Sequence, residues 1–144
     1  MTEATPDIEY VLAALQIAGT DSYVFQRRTK DAPTGAGLLN LWGGTVEMNE
    51  DPDAAIRREV GEETSLNPEE LGLRLVATRE GTSLSNPDDK RLRRGYLYAG
   101  TVASAEFKVY EGAGSEVLSL SDVASRDDVT LTTRALLPLL TENI

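Results

Sequence analysis

The chain has 144 residues and a net charge of −10, with 40% apolar and 26% charged residues. Those are the proportions of a globular protein long enough for a sizeable core, and the excess of acid argues against nucleic acid as an obligate partner and against an anionic membrane surface. With no Cys and no His, disulfides, thiolate nucleophiles, Ser-His-Asp triads and imidazole metal sites are excluded, so any acid-base chemistry falls to carboxylates, Lys, Tyr or metal-bound water.

The opening "MTEATPDIEY" lacks the basic and apolar stretches of a signal peptide. The longest apolar run, residues 10–15, is far below the ~20 residues of a membrane span. The expectation is a soluble cytoplasmic protein with a tail over residues 1–6 and one domain over residues 7–144. In chain order, "YVLAALQIAG" (10–19) reads as a buried strand closed by a turn at Gly19-Thr20-Asp21, and "SYVFQRR" (22–28) as its hairpin partner. Residues 29–37 carry Pro33, Gly35 and Gly37 and form a loop. "LLNLWGGTVE" (38–47) is a short strand interrupted by Gly43-Gly44.

The strongest helix follows. Asp51 suits the N-cap, Pro52 the first helical position, and the run ends near Thr64, before Asn67-Pro68. Beyond it, residues 73–84 and 91–102 read as strands joined by the turn "SNPDDK". Residues 115–123 form a short strand entering a turn, and residues 130–142 an amphipathic helix capped by Thr130 and blemished by Pro138. The fold class is α+β, a mixed sheet with a helix on each side.

The central helix crowds Glu59, Glu62 and Glu63 within five positions. On a wheel with Ile56 at zero, Val60 falls near roughly +40°, Glu63 near −20°, Glu59 near −60° and Glu62 near −120°. The carboxylates therefore flank the apolar stripe that faces the sheet, where repulsion and desolvation both penalise them. A hard divalent cation with oxygen ligands offsets both costs, and Mg²⁺, shared between carboxylates and substrate phosphates, fits best. Arg58, one turn before Glu62, is placed to pair with it.

These residues resemble the Nudix signature. Gly44, five residues, Glu50, seven residues, Arg58-Glu59, Val60, Gly61, Glu62-Glu63, Thr64, Ser65 and Leu66 match it at every required place but one. Ser65 stands where the family has Gly, and Trp42 where Pro is frequent.

The resemblance implies a Nudix-like α/β/α sandwich. It also implies Mg²⁺-dependent hydrolysis of a nucleoside diphosphate derivative by water attack at phosphorus, with Mn²⁺ as a substitute metal. Glu59, Glu62, Glu63 and the Gly44 carbonyl are the implied metal ligands, and Glu50 either joins them or sits behind them. Glu62, Glu63 and Arg58 are expected to serve catalysis. A further catalytic Glu is expected from a late loop; of Glu106, Glu111 and Glu116, Glu111 in "YEGAGSE" is preferred. Arg27, Arg28 and Arg94 are candidate substrate-binding residues, whereas Arg91 and Arg93 read as solubilising strand residues. Tyr96 and Tyr98 suit either base stacking or a core or surface role. Partners are a nucleotide-like small molecule, no obligate nucleic acid and no membrane; dimerisation is a family habit to which the sequence adds nothing. The alternative function is a catalytically silent Nudix-fold nucleotide-binding or sensor module. Which nucleoside diphosphate derivative is bound is not written in the loops.

Overall fold

The computed structural model describes residues 5–142. The first four residues of the expected tail, and the last two of the expected domain, lie outside them. Seven strands, β1 (Ile8–Ile17), β2 (Ser22–Arg27), β3 (Leu39–Asn40), β4 (Trp42–Thr45), β5 (Arg74–Gly81), β6 (Arg93–Val102) and β7 (Ser115–Ser119), form one mixed sheet. Among the described residues three α-helices accompany it: α1 (Pro52–Glu63), α2 (Leu120–Ala124) and α3 (Leu131–Glu142).

β1 is the spine. It runs parallel to β6 from the Ile8–Arg93 pair to the Ile17–Val102 pair. Its other edge is shared: β4 pairs antiparallel with Tyr10 through Ala13, and β2 with Leu15 and Gln16. β5 closes the β6 side, and β7 and β3 pair with β2. The residues Val11 to Leu15 are all buried, because helices cover both faces of the strand; an unbroken apolar run is what that position demands. Val11, Ala13 and Tyr98 pack with Ala55, Ile56 and Val60 of α1. Leu12, Ala14 and Leu97 pack with Leu136, Leu137 and Leu140 of α3 on the opposite face. This is the expected mixed sheet between helices.

Local chemistry sets the ends of the elements. The Asp51 carboxylate accepts from the Ala54 N–H at 2.8 Å, with Pro52 next to it, as expected for a helix start. α1 stops at Thr64, whose backbone is extended (φ −139°, ψ 167°). Because the chain leaves α1 this way, Ser65 is not held in the left-handed region: among the described residues Asn49 is the non-glycine with positive φ. Ser65 instead exchanges bonds with Lys108, its N–H donating to the Lys108 carbonyl and its hydroxyl accepting from the Lys108 N–H, both at 2.9 Å. Trp42 is a fully buried core residue whose Nε1 donates to the Val24 carbonyl at 2.7 Å.

The strand expected over 38–47 divides into β3 and β4 at Leu41, because its two parts pair with different neighbours, β2 and β1. The segment expected as a short strand into a turn becomes β7 followed by α2, capped by the Ser119 hydroxyl, which accepts from the Asp122 N–H at 3.1 Å. α3 starts after Thr130, whose hydroxyl accepts from the Thr133 N–H at 3.3 Å, and its Pro138 lies on the exposed side.

Gly43 is the tightest point of the sheet. Its φ is +148°, and a Cβ there would lie 1.9 Å from the Val11 carbonyl oxygen. Gly43→Ala is expected to cost about 3 kcal/mol or more in urea unfolding. Gly19→Ala, also at positive φ but with nothing within 4 Å of the added atom, should cost only about 1 kcal/mol.

Candidate active site

Exposure of the three α1 carboxylates follows their angle from the apolar stripe: Glu63 is 2% exposed, Glu59 13% and Glu62 50%. Glu63 and Glu59 meet β4 directly. The Gly43 N–H donates to Glu63 Oε1 at 3.1 Å. A Cβ on Gly44 would fall 2.6 Å from Glu59 Oε1, so only a bare backbone lets this carboxylate lie against the strand.

Arg58 holds the rest of the helix face together. Its Nε and Nη2 grip the two Glu50 oxygens at 2.8 and 2.9 Å, and Nη2 also donates to the Thr45 carbonyl at 3.1 Å. Its Nη1 reaches Glu59 at 3.0 Å and Glu62 at 3.3 Å. A planar guanidinium with a fixed fork of donors can bridge three carboxylates in this way; an ammonium cannot. The pairing with Glu62 was expected, while the two-pronged grip on Glu50 was not. It holds the Glu50 carboxyl down to about 2, chiefly through the Arg58 hydrogen bonds, and commits Glu50 to the arginine.

Glu63 behaves oppositely. Burial, and then the adjacent Glu59 carboxylate, push its carboxyl from the ordinary 4.5 up to about 9, against the opposing pull of the Gly43 N–H.

The late loop, residues 103–114, is stitched along the C-terminal end of α1. Thr64 and Val109 form a bridge, the Tyr110 N–H donates to the Glu63 carbonyl at 2.7 Å, and the Gln26 side chain donates to the Glu111 carbonyl at 2.9 Å. Glu111 is thereby exposed beside α1, and its charge acts on Glu63. Glu116 faces elsewhere: Arg27 bonds it at 2.5 Å and Arg126 at 2.9 Å. Glu106 is exposed, and its N–H donates to the Ser104 hydroxyl at 3.1 Å.

The arginines also separate. Arg27 is engaged by Glu116 and by Asp128 at 3.0 Å, so its charge is spent inside an ion-pair network rather than offered to a ligand. Arg94 pairs with Glu80 at 2.7 Å on the same strand face as Tyr96. Arg28 alone of the three expected arginines lines a cleft of about 430 Å³ between β1, β4, β5, β6 and the start of α3. Arg93, expected to be merely solubilising, lines it too, together with Arg79. Tyr96 and Tyr98 point to the α1 side and bond Glu9 and Asp53 through their hydroxyls. The aromatic in the cleft is Tyr10, whose ring lies so close over β6 that a Cβ on Gly95 would be 2.2 Å from it. Strand alternation puts Tyr10 on that face, but no sequence motif marked it.

Gly43, Gly44 and Thr45 line the same cleft, so β4 joins the carboxylate face of α1 to the cavity. Every donor on that face is oxygen, the chemistry of a hard divalent cation. Among the described residues, no group of three or more acidic side chains is gathered tightly enough to hold a metal ion. Arg58 occupies the space between Glu59 and Glu62, and the half-exposed Glu62 is the carboxylate with room to turn. Among the described residues, no helix is long and apolar enough to cross a membrane.

The raised Glu63 carboxyl has a consequence for stability. Between pH 4.5 and about 9 the folded state keeps a proton that the unfolded chain has released, so stability falls as pH rises through that window. Urea melts in EDTA should show this decline, and Glu63→Gln should flatten it. The Arg27–Glu116–Arg126–Asp128 network has the opposite sign. Its two carboxyls are held below their ordinary values by the arginines, so its stabilisation is present above about pH 4 and lost as pH falls. Asp128→Asn should reduce the drop in Tm measured between neutral pH and pH ~3.

The NUDIX domain model matches residues 10–140. No curated protein sequence matches the chain. Among solved structures, a MutT protein from Methanosarcina mazei Go1 superposes with a TM-score of 0.77 at 22% identity, covering 99% of both chains. The E. coli dihydroneopterin triphosphate pyrophosphohydrolase gives 0.75 at 18% identity, covering 94% of this chain and 96% of its own. The NUDIX domain of Shewanella oneidensis NrtR, complexed with ADP ribose, gives 0.74 at 16% identity, covering 96% and 89%. The likeness to these structures is one of fold. The family model spans nearly the whole chain, over the glycine pair, the carboxylate helix and the cleft alike, and the chain belongs to the Nudix family.

Proposed function

We propose that the protein is a pyrophosphohydrolase that cleaves the diphosphate linkage of a nucleoside diphosphate derivative. One observation carries the reading: the buried Glu63 and partly buried Glu59 carboxyls lie against a bare glycine backbone that opens onto a cleft lined, among the described residues, by arginines and no acid. Glu59, Glu62, Glu63 and the Gly44 carbonyl would hold Mg²⁺ or Mn²⁺. When bound there, such a cation supplies charge neutralisation for the diphosphate and acidifies a water.

This chain's own residues supply the rest. Gly43 and Gly44 let the diphosphate approach the backbone. Arg58 positions Glu59 and keeps Glu50 in place behind it. Glu111 is the proposed proton acceptor: it is exposed and tied by the loop to the end of α1. Water forms the new bond to phosphorus, its proton passes to a carboxylate, and the bridging oxygen leaves with the other phosphate. A diphosphate esterified at both ends gives two phosphomonoesters, and a nucleoside triphosphate gives a nucleoside monophosphate and pyrophosphate.

The test is turnover with Mg²⁺ of nucleoside triphosphates, nucleotide sugars, ADP-ribose and dinucleoside polyphosphates, with products separated by chromatography. One class should be cleaved, and Glu62→Gln with Glu63→Gln should reduce kcat on the order of 10³-fold or more. Glu111→Gln should lower kcat by about 10²-fold with KM little changed. Nucleotide binding without cleavage of any class would instead establish the silent binding module.

A further inference from the structure

The arginines of the cleft are not spread evenly along it. Tyr10 is in register with Thr45 of β4 on one side and Gly95 of β6 on the other, and Gly95 is in register with Arg79 of β5. Three strand spacings separate Thr45 from Arg79, about 14 Å across the sheet. The Tyr10 ring lies between. Arg79 runs along its own strand, its Nη1 3.5 Å from the position of a Cβ on Gly81. The cross-strand partner of Gly81 is Arg93. Two guanidinium-bearing side chains are thus directed to one corner of the cleft, on the far side of Tyr10 from the glycine pair.

Like charges so placed repel, and the compensation is incomplete. Arg93 bonds Asp89 at 2.7 Å, while Asp89 is shared with Arg91. The Arg93 Nε is buried without a hydrogen-bond partner among the described residues. No carboxylate among the described residues lies within ion-pair distance of Arg79, in a protein with 24 acidic residues against 14 basic ones. Thr82, Ser83 and Ser85 line the same end of the cleft, adding hydroxyls. Two planar forks with hydroxyls around them suit a tetrahedral dianion with several acceptor oxygens.

We infer that Arg79 and Arg93 bind a phosphomonoester on the substrate, separate from the diphosphate that is cleaved and beyond a moiety that covers Tyr10. The inference rests on the hydrolase reading for the position of the scissile diphosphate, and it names the substrate class: nucleoside diphosphate derivatives carrying an additional phosphate.

The test uses matched pairs that differ by one phosphomonoester, NADP⁺ against NAD⁺ and coenzyme A against 3′-dephospho-coenzyme A. Their affinities are measured by calorimetry in EDTA for the wild type, Arg79→Gln, Arg79→Lys and Arg57→Gln, the last lying on the outer face of α1. The phosphorylated member of at least one pair should bind about tenfold tighter or better. Arg79→Gln should erase that preference, Arg79→Lys should keep part of it, and Arg57→Gln should leave it intact. Equal affinity within both pairs, absence of binding, or a preference that survives Arg79→Gln would overturn the inference. So would an equal loss of affinity for ADP in Arg79→Gln, which would put the arginines on the scissile diphosphate itself. Turnover with Mg²⁺ is scored separately. Cleavage without preference sinks this inference alone, whereas preference without cleavage of any compound sinks the hydrolase reading and leaves the arginine corner standing.

Discussion

Negative charge is packed against the sheet on α1, and the remainder of the site is arranged around that constraint. Three carboxylates flank the stripe made by Ile56 and Val60, and two of them are largely out of water. Without a cation, the charge is managed in two ways. Arg58 takes Glu50, Glu59 and Glu62 into one fork, and Glu63 keeps its proton, because burial and Glu59 make ionisation costly. Both devices need β4 to come close. Gly43 donates its N–H to Glu63, and Gly44 makes room for Glu59. A side chain at Gly43 would collide with the β1 backbone at Val11, and one at Gly44 with the Glu59 carboxylate of α1.

The charge of the molecule is also partitioned. Three carboxylates gather along one side of α1, and the nearest base, Arg58, is engaged by two of them and by Glu50. The cleft on the other side of β4 is lined, among the described residues, by Arg28, Arg79 and Arg93 with no Asp or Glu. β4 therefore separates a region rich in carboxylates from one rich in guanidinium groups. An overall charge of −10 describes neither region, since the local field depends on which residues the sheet register brings together.

Much of this was legible before the fold. Asp51-Pro52 and the run to Thr64 defined α1, because capping and helix-breaking chemistry are local. The wheel set all three carboxylates beside the apolar stripe; Glu63 and Glu59 lie there, whereas Glu62, farthest from it in angle, is half exposed. Residues whose roles depend on distant partners were less legible. Arg27 sits in a promising position at the end of β2, but Glu116 and Asp128, about 90 and 100 positions away, absorb its charge. Arg93 looked like a surface arginine because alternation specifies a face without saying whether that face borders a cavity. Tyr10 became visible only when Gly95 was seen beneath its ring. The preference for Glu111 came from loop composition; its position beside α1 comes from backbone bonds between Glu63 and Tyr110 that no local pattern encodes.

On the proposed hydrolase reading, the carboxylate face of α1 would give up the Glu63 proton as it takes up a divalent cation. Calorimetric titration of Mg²⁺ at neutral pH, in buffers of different ionisation enthalpy, counts the protons released per cation bound. A cation that displaces the Glu63 proton should release about one, and Glu63→Gln should reduce that count to near zero while weakening binding. Binding with no proton released by the wild type, or release unchanged in Glu63→Gln, would contradict the claim.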